Sequence, residues 1–223
     1  MTVNGTIEIQ GYSKRVVVID HPMVQHKLTL LRNKDTGPKQ FRELIKELAM
    51  FEAYEATRHF QLEPVTVTTP ICETVAYTLK GRKVAIVPIL RAGLGMVEGI
   101  LELVPAARVG HVGLYRDPET HEPVEYYCKL PDDIDTREVL IVDPMLATGG
   151  SAAAAIDFLK KEGVPSNRIR LLVVIAAPEG IQTVLDTDPD VTVFTCAIDE
   201  CLDENAYIVP GLGDAGDRIF GTR

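Results

Sequence analysis

The stretch Val139-Leu-Ile-Val-Asp143-Pro144-Met145-Leu146-Ala147-Thr148-Gly149-Gly150-Ser151 ends an aliphatic run in a carboxylate and then sets two glycines between two hydroxyls. Glycines let backbone N–H groups approach an anion closely. A following helix adds the partial positive charge of its N-terminus, and the Thr148 and Ser151 hydroxyls donate further hydrogen bonds. Residues 148–151 therefore read as a phosphate cradle. A bare Thr-Gly-Gly-Ser is equally compatible with an ordinary strand-to-helix turn capped by Ser151. Asp143 tips the balance, because a carboxylate just ahead of a phosphate loop can hydrogen-bond the vicinal hydroxyls of a ribose whose 5′-phosphate lies in that loop.

Two further segments carry chemistry. Pro88-Ile-Leu-Arg91-Ala92-Gly93-Leu-Gly95 places a guanidinium and a glycine where another aliphatic run gives way to a helix, which suits the grip of a second anionic group; alone, Arg91 would read as a solvated charge. Gly211-Leu-Gly213-Asp214-Ala215-Gly216 fits G-x-G-x-x-G, but only residues 217–223 follow, too few for a dinucleotide-binding fold. It marks a backbone-presenting loop bearing Asp214 and Asp217. The chain has no G-x-x-x-x-G-K-[ST], which excludes a P-loop nucleotidase.

Positioning these groups requires a sheet. Val84–Leu90, Val139–Val142 and Leu171–Ala177 are continuous aliphatic runs, as expected of strands covered on both faces, and helix-compatible stretches follow at Leu94–Leu103, Ser151–Glu162 and Glu179–Leu185. Repeated strand, turn and helix units predict a parallel α/β sheet, with ligands beyond the carboxyl ends of its strands. Val16–Asp20 reads as a short strand, Val65–Thr69 as a half-exposed one, and Pro38 opens a helix running to about His59. Val109–Arg116 and Val124–Lys129 flank a polar segment and predict a projecting hairpin that could close over a site. The absence of Trp and the 6% aromatic content leave an aliphatic core, as such a sheet needs.

A net charge of -9 argues against nucleic acid and anionic membranes as general partners. No apolar run is long enough to cross a bilayer and residues 1–15 lack a leader pattern, so a cytoplasmic protein is expected. The spacing of Cys72, Cys128, Cys196 and Cys201 matches neither a redox nor a zinc motif, and they are expected to be reduced and mostly buried. No linker or repeat divides the chain, and one domain spanning 1–223 is expected.

Taken together, Asp143–Ser151, Pro88–Gly95 and Tyr207-Ile208-Val-Pro-Gly-Leu-Gly213-Asp-Ala215-Gly-Asp217 resemble the uracil phosphoribosyltransferases, a branch of the type I phosphoribosyltransferases, along nearly the whole chain. The resemblance implies a central parallel sheet flanked by helices, a hairpin flap at about 115–128, a C-terminal base-binding hood at about 199–223, and an N-terminal extension at 1–15. It implies transfer of phosphoribosyl from phosphoribosyl pyrophosphate to N1 of uracil, giving UMP and pyrophosphate in pyrimidine salvage. Residue by residue, Ala147, Thr148, Gly149, Gly150 and Ser151 would take the 5′-phosphate and Asp143 the ribose hydroxyls, with Pro144, Met145 and Leu146 in the same donor-binding segment. Arg91 and Arg116 would take pyrophosphate and join Asp143 in catalysis, while Ile208, Gly213, Asp214 and Ala215 would meet uracil. Mg²⁺ would be held by donor oxygens, with Asp214 acting through a water. The resemblance also implies a cis peptide between Arg91 and Ala92, a homodimer or homotetramer, and GTP as a candidate effector. An RNA-binding regulator on the same scaffold would need a basic face, against which the net charge argues; a phosphoribosyltransferase for another base is the second alternative.

Overall fold

Each aliphatic run of the sequence becomes a strand whose alternate side chains enter two separate cores. The computed structural model describes residues 15–81, 84–116 and 123–222, with backbone alone at 114–116 and 123–126. In chain order the elements are β1 (Val16–Val18), α1 (Pro22–Arg32), α2 (Pro38–Ala56), β2 (Leu62–Thr68), β3 (Glu73–Leu79), β4 (Val84–Pro88), α3 (Leu94–Leu103), β5 (Arg108–Val109), β6 (His111–Arg116), β7 (Pro123–Lys129), β8 (Glu138–Val142), β9 (Met145–Leu146), α4 (Gly150–Lys161), β10 (Ile169–Ala176), α5 (Pro178–Thr187), β11 (Thr192–Ile198), β12 (Cys201–Leu202), β13 (Ile208–Val209) and α6 (Ala215–Phe220).

The main sheet runs β1-β11-β10-β8-β4-β5, all parallel, with β9 also paired to β10. Leu140 and Val142 of β8, with Val84 and Ile86 of β4, face a core closed by α1, α2, α3 and α6. Val139, Ile141, Ala85 and Val87 face the other core, closed by α4 and α5. Continuous burial on both faces explains why these strands show no polar alternation. Parallel neighbours need crossovers, and the helices on both faces supply them.

Helix α2 buries Phe41, Leu44, Ile45, Leu48, Ala49 and Ala53 along one stripe, as their three- and four-residue spacing predicts. It stops at Ala56 rather than near His59, because i→i+3 bonds from Arg58 to Glu55 and from Phe60 to Thr57 tighten the chain into a turn. The half-exposed strand predicted at Val65–Thr69 is one arm of a β2–β3 hairpin, paired from Leu62 with Leu79 to Thr68 with Glu73, and Leu62, Ile71, Val75 and Tyr77 on it are exposed. The second predicted hairpin is β6–β7, with a register shift between Gly113 and Leu114. Its tip at 117–122 and the extension at 1–14 lie outside the described residues. Only Cys196 of the four cysteines is buried; Cys128 is half-buried, while Cys72 in the β2–β3 turn and Cys201 on a two-residue edge strand are exposed. The expectation of mostly buried thiols is corrected accordingly.

One residue breaks the apolar pattern of α2. Glu52 is fully buried beside the Cys196 thiol, and neither carboxylate oxygen has a hydrogen-bond partner among the described residues. Burial pushes its carboxyl well above the ordinary 4.5, so the folded chain holds a proton that the unfolded chain releases as pH rises past that value. Stability is therefore lost on the alkaline side. Glu52→Gln should be more stable than the parent chain at pH 8 and should lose that advantage near pH 4. Urea midpoints at the two pH values check this, and equal differences at both would contradict it.

Candidate functional site

The site begins where β8 is interrupted. Asp143 still donates its N–H to Leu172, but Pro144 has none to give, and its carbonyl instead receives the N–H groups of both Val174 and Ile175 at 3.1 Å. The chain rejoins β10 as β9, pairing Met145 with Ile175 and Leu146 with Ala176. Asp143 is left half-buried in this gap. Desolvation raises its carboxyl from 3.8 to about 7, against the lowering effect of the Met145 N–H that donates to it.

The chain then turns through Thr148 and Gly149 into α4. The helix starts at Gly150, so the capping position belongs to Gly149 and not to Ser151, and no side chain caps it. The amides of the first turn are thus left for an external acceptor, beside a small cavity of about 80 Å³ lined by Asp143, Ala147, Thr148, Gly149, Ser151 and Ala152. Gly149 has φ +84°, and a Cβ there would stand 2.7 Å from the Gly180 carbonyl. Only glycine fits that turn without displacing α5.

A second wall comes from the end of β4. Ile89 donates to Val142 and Leu90 to Val112 before the chain reverses toward α3. The non-proline cis bond lies between Leu90 and Arg91, one residue before the expected place between Arg91 and Ala92. The Arg91 side chain is exposed, with Nη2 3.7 Å from Asp217 and its guanidinium 5.9 Å above the Phe220 ring.

The third wall is the C-terminal loop. Asp214 caps α6 by accepting the Asp217 N–H at 2.8 Å. A cavity of about 240 Å³ is lined by Arg91, Ala92, Asp143, Met145, Ala147, Asp214, Ala215 and Gly216, so segments far apart in sequence meet as expected. Ile208 and Gly213 do not line it: Ile208 is buried in the core, and Gly213 is exposed with φ +79°. Arg116 ends β6, and its side chain lies outside the described residues. Among the described residues no group of three or more His, Cys, Asp or Glu is arranged to hold a metal ion.

The family model described as uracil phosphoribosyltransferase matches residues 18–222. Uracil phosphoribosyltransferases of Symbiobacterium thermophilum and Clostridium tetani are 62% and 63% identical to this chain over 209 residues, covering 94% of it and 99% of each relative. The chain belongs to the uracil phosphoribosyltransferase family. Among solved structures, a protein from Aquifex aeolicus superposes with a TM-score of 0.86 at 38% identity, covering 92% of this chain and 97% of that one. An adenine phosphoribosyltransferase from Trypanosoma brucei, with a TM-score of 0.57 at 12% identity over 89% of this chain and 88% of that one, shares the fold. The architecture is the type I phosphoribosyltransferase fold.

Sequence reading missed the residues that hold this family site from behind. Arg218 donates to the Leu212 carbonyl at 2.7 Å and to Asn33 at 2.6 Å, with its guanidinium 4.3 Å over the Phe41 ring. No local spacing links these partners; only the tertiary fold does. Where sequence and structure agree most closely, at Gly149, substitution is informative. Gly149→Ala should cost about 1–3 kcal/mol of stability in urea unfolding and weaken binding of ribose 5-phosphate. A variant as stable and as avid as the parent would show that the turn is not needed.

Proposed function

We propose that this chain transfers a phosphoribosyl group from phosphoribosyl pyrophosphate to N1 of uracil, releasing UMP and pyrophosphate. The observation that carries the reading is that Asp143 lines both cavities, the smaller one at the uncapped start of α4 and the larger one beside Arg91, in a chain of this family. The α4 amides with Thr148 and Ser151 take the 5′-phosphate, and Asp143 takes the ribose hydroxyls. Arg91 takes pyrophosphate together with Arg116 at the base of the hairpin, which serves as a flap over about 115–128. Residues 199–223 form the base-binding segment, within which Ile208, Gly213, Asp214 and Ala215 meet uracil, Ile208 and Gly213 by main-chain groups from outside the cavity lining.

Loss of pyrophosphate leaves positive charge on the ribose ring and builds negative charge on the departing group. Guanidinium groups stabilise the latter and the Asp143 carboxylate stabilises the former, so positioning and electrostatics suffice without a covalent nucleophile. Mg²⁺ bound with the donor supplies charge neutralisation at the pyrophosphate. The residues fit such an ion: Asp214 is exposed, and among the described residues its hydrogen bond is made by Oδ1, in the α6 cap, which leaves Oδ2 to a metal-bound water. The exposed apolar residues of the β2–β3 hairpin support a homodimer or homotetramer as the working form. GTP as effector and a cytoplasmic location are carried by the family alone, and among the described residues no helix is long and apolar enough to cross a membrane.

Incubation with Mg²⁺, phosphoribosyl pyrophosphate and each nucleobase in turn tests the reading. UMP should form from uracil, and cytosine should be rejected by as much as roughly 10⁴ in kcat/KM, because fixed main-chain groups would face donor against donor. Comparable efficiency with both bases would sink the edge-reading.

Asp143 must be ionised to do its work, and its carboxyl titrates at about 7 in the free protein. The kcat/KM for donor should therefore fall as pH drops through about 7, the limb that reports the free enzyme. Asp143→Asn should remain folded, turn over at least tenfold more slowly on an order-of-magnitude basis and lose this acid limb. An unchanged limb in the variant assigns it to another group.

A further inference from the structure

The last residue of α1 reaches the loop that follows β13. Arg32 donates through Nη1 to the Gly211 carbonyl at 2.7 Å and to Asp199 Oδ2 at 2.8 Å, and through Nη2 to Asp199 Oδ1 at 2.5 Å. Asp199, just past the end of β11, accepts the Gly211 N–H on Oδ2 at 2.9 Å. Both main-chain polar groups of Gly211 are thus fixed by one ion pair, whose carboxylate side chain is 4% exposed and whose guanidinium is 23% exposed. Gly211 itself has φ +63°, and a Cβ there would collide with the Ile208 carbonyl at 2.0 Å, so the chain passes this point in one narrow path. Neither Arg32 nor Asp199 lines the cavity of Arg91 and Asp143.

We propose that Arg32 and Asp199 are positioning residues for the acceptor base: by clamping Gly211 they set the height of residues 211–213 and hence affinity and selectivity for the base, without acting on the donor. This rests on the reading that the base is met by main-chain groups of that loop. Main-chain donors and acceptors discriminate only if they cannot shift, since recognition by hydrogen bonds fails when the frame carrying them relaxes. The donor groups at the ends of β8 and β4 and the start of α4 are held by pairing and core contacts that do not pass through Gly211, and Asp214 is seated separately as the cap of α6, whose Ile219 is buried.

Two conservative variants test the clamp. Arg32→Lys keeps the charge but offers one ammonium where a guanidinium spans both Asp199 and Gly211. Asp199→Asn keeps the volume and an acceptor for the Gly211 N–H but loses the ionic partner. For each folded variant, uracil KM should rise on the order of tenfold or more while donor KM stays within about twofold, and the preference for uracil over cytosine should shrink. Thermal melting reports the structural contribution separately. Unchanged uracil KM in folded variants, or a parallel rise of both KM values, overturns the proposal. Failure of the underlying reading shows elsewhere: the parent chain would then accept another base in place of uracil, and the same split is measured on that base.

Discussion

The site hangs on a broken strand. β8 is locked between β4 and β10 over its whole length, and the ladder fails at Pro144, where the imide has no N–H to donate. Had the strand continued, Asp143 would lie in a ladder with its carboxylate driven into a core. The interruption instead leaves it half-buried at the carboxyl end of the sheet, and the double acceptance by the Pro144 carbonyl leads the chain back to β10 as β9. That short return delivers Ala147 to Gly149 against α5, where the close approach to Gly180 fixes the turn that starts α4. The carboxylate and the uncapped helix N-terminus are two consequences of one missing donor.

In a chain of net charge -9, the proposed anion site is built mostly without basic side chains. The α4 amides carry no net charge, yet their aligned dipoles point at one spot and need no reorganisation when a phosphate arrives. Arg91 is the cation in the described wall, and it is already engaged loosely with Asp217 and lies over Phe220. At 3.7 Å and with an exposed guanidinium, that pairing is weak enough for a bound anion to displace. The environment of Asp143 works in the opposite sense, holding its carboxyl near 7 until positive charge appears close by. Such a group gains most from a cationic transition state, because the charge that forms there relieves its own desolvation.

The strands and their flanking helices were legible because burial on two faces leaves an unbroken aliphatic signature, as at Val84–Pro88 and Ile169–Ala176. The turn from β9 into α4 was legible because glycines and hydroxyls announce themselves locally. α1 was not, although Pro22 at its start and the spacing of Val24, Leu28 and Leu31 are helical signals, because polar Gln25, His26 and Lys27 dilute them. β11 was hidden by Thr192 and Thr195, and Thr195 is fully buried with its hydroxyl donating to the Ala197 carbonyl. Glu52 falls on the buried stripe by spacing, four residues after Leu48, but a carboxylate on an amphipathic helix reads as solvent-facing until the opposing strand is known.

The C-terminal loop shows how little of a site lies in its own motif. Gly211 to Gly216 supplies backbone freedom, and freedom alone would make a mobile loop. Its order comes from α1 and α2: Arg32 and Asp199 hold Gly211, while Arg218, seated on Phe41, holds Leu212 and returns to Asn33. Asp214 and Asp217 then start α6, and Ile219 anchors it in the core beneath α2 and α3. The bonds that Arg32 and Arg218 make to Gly211, Leu212 and Asn33 end on main chain, and the Gly211 N–H ends on the buried Asp199 carboxylate, so these side chains are fixed away from the cavity. The glycines can present bare backbone to a ligand because residues from the other end of the chain have removed the conformational choice that glycine would otherwise keep.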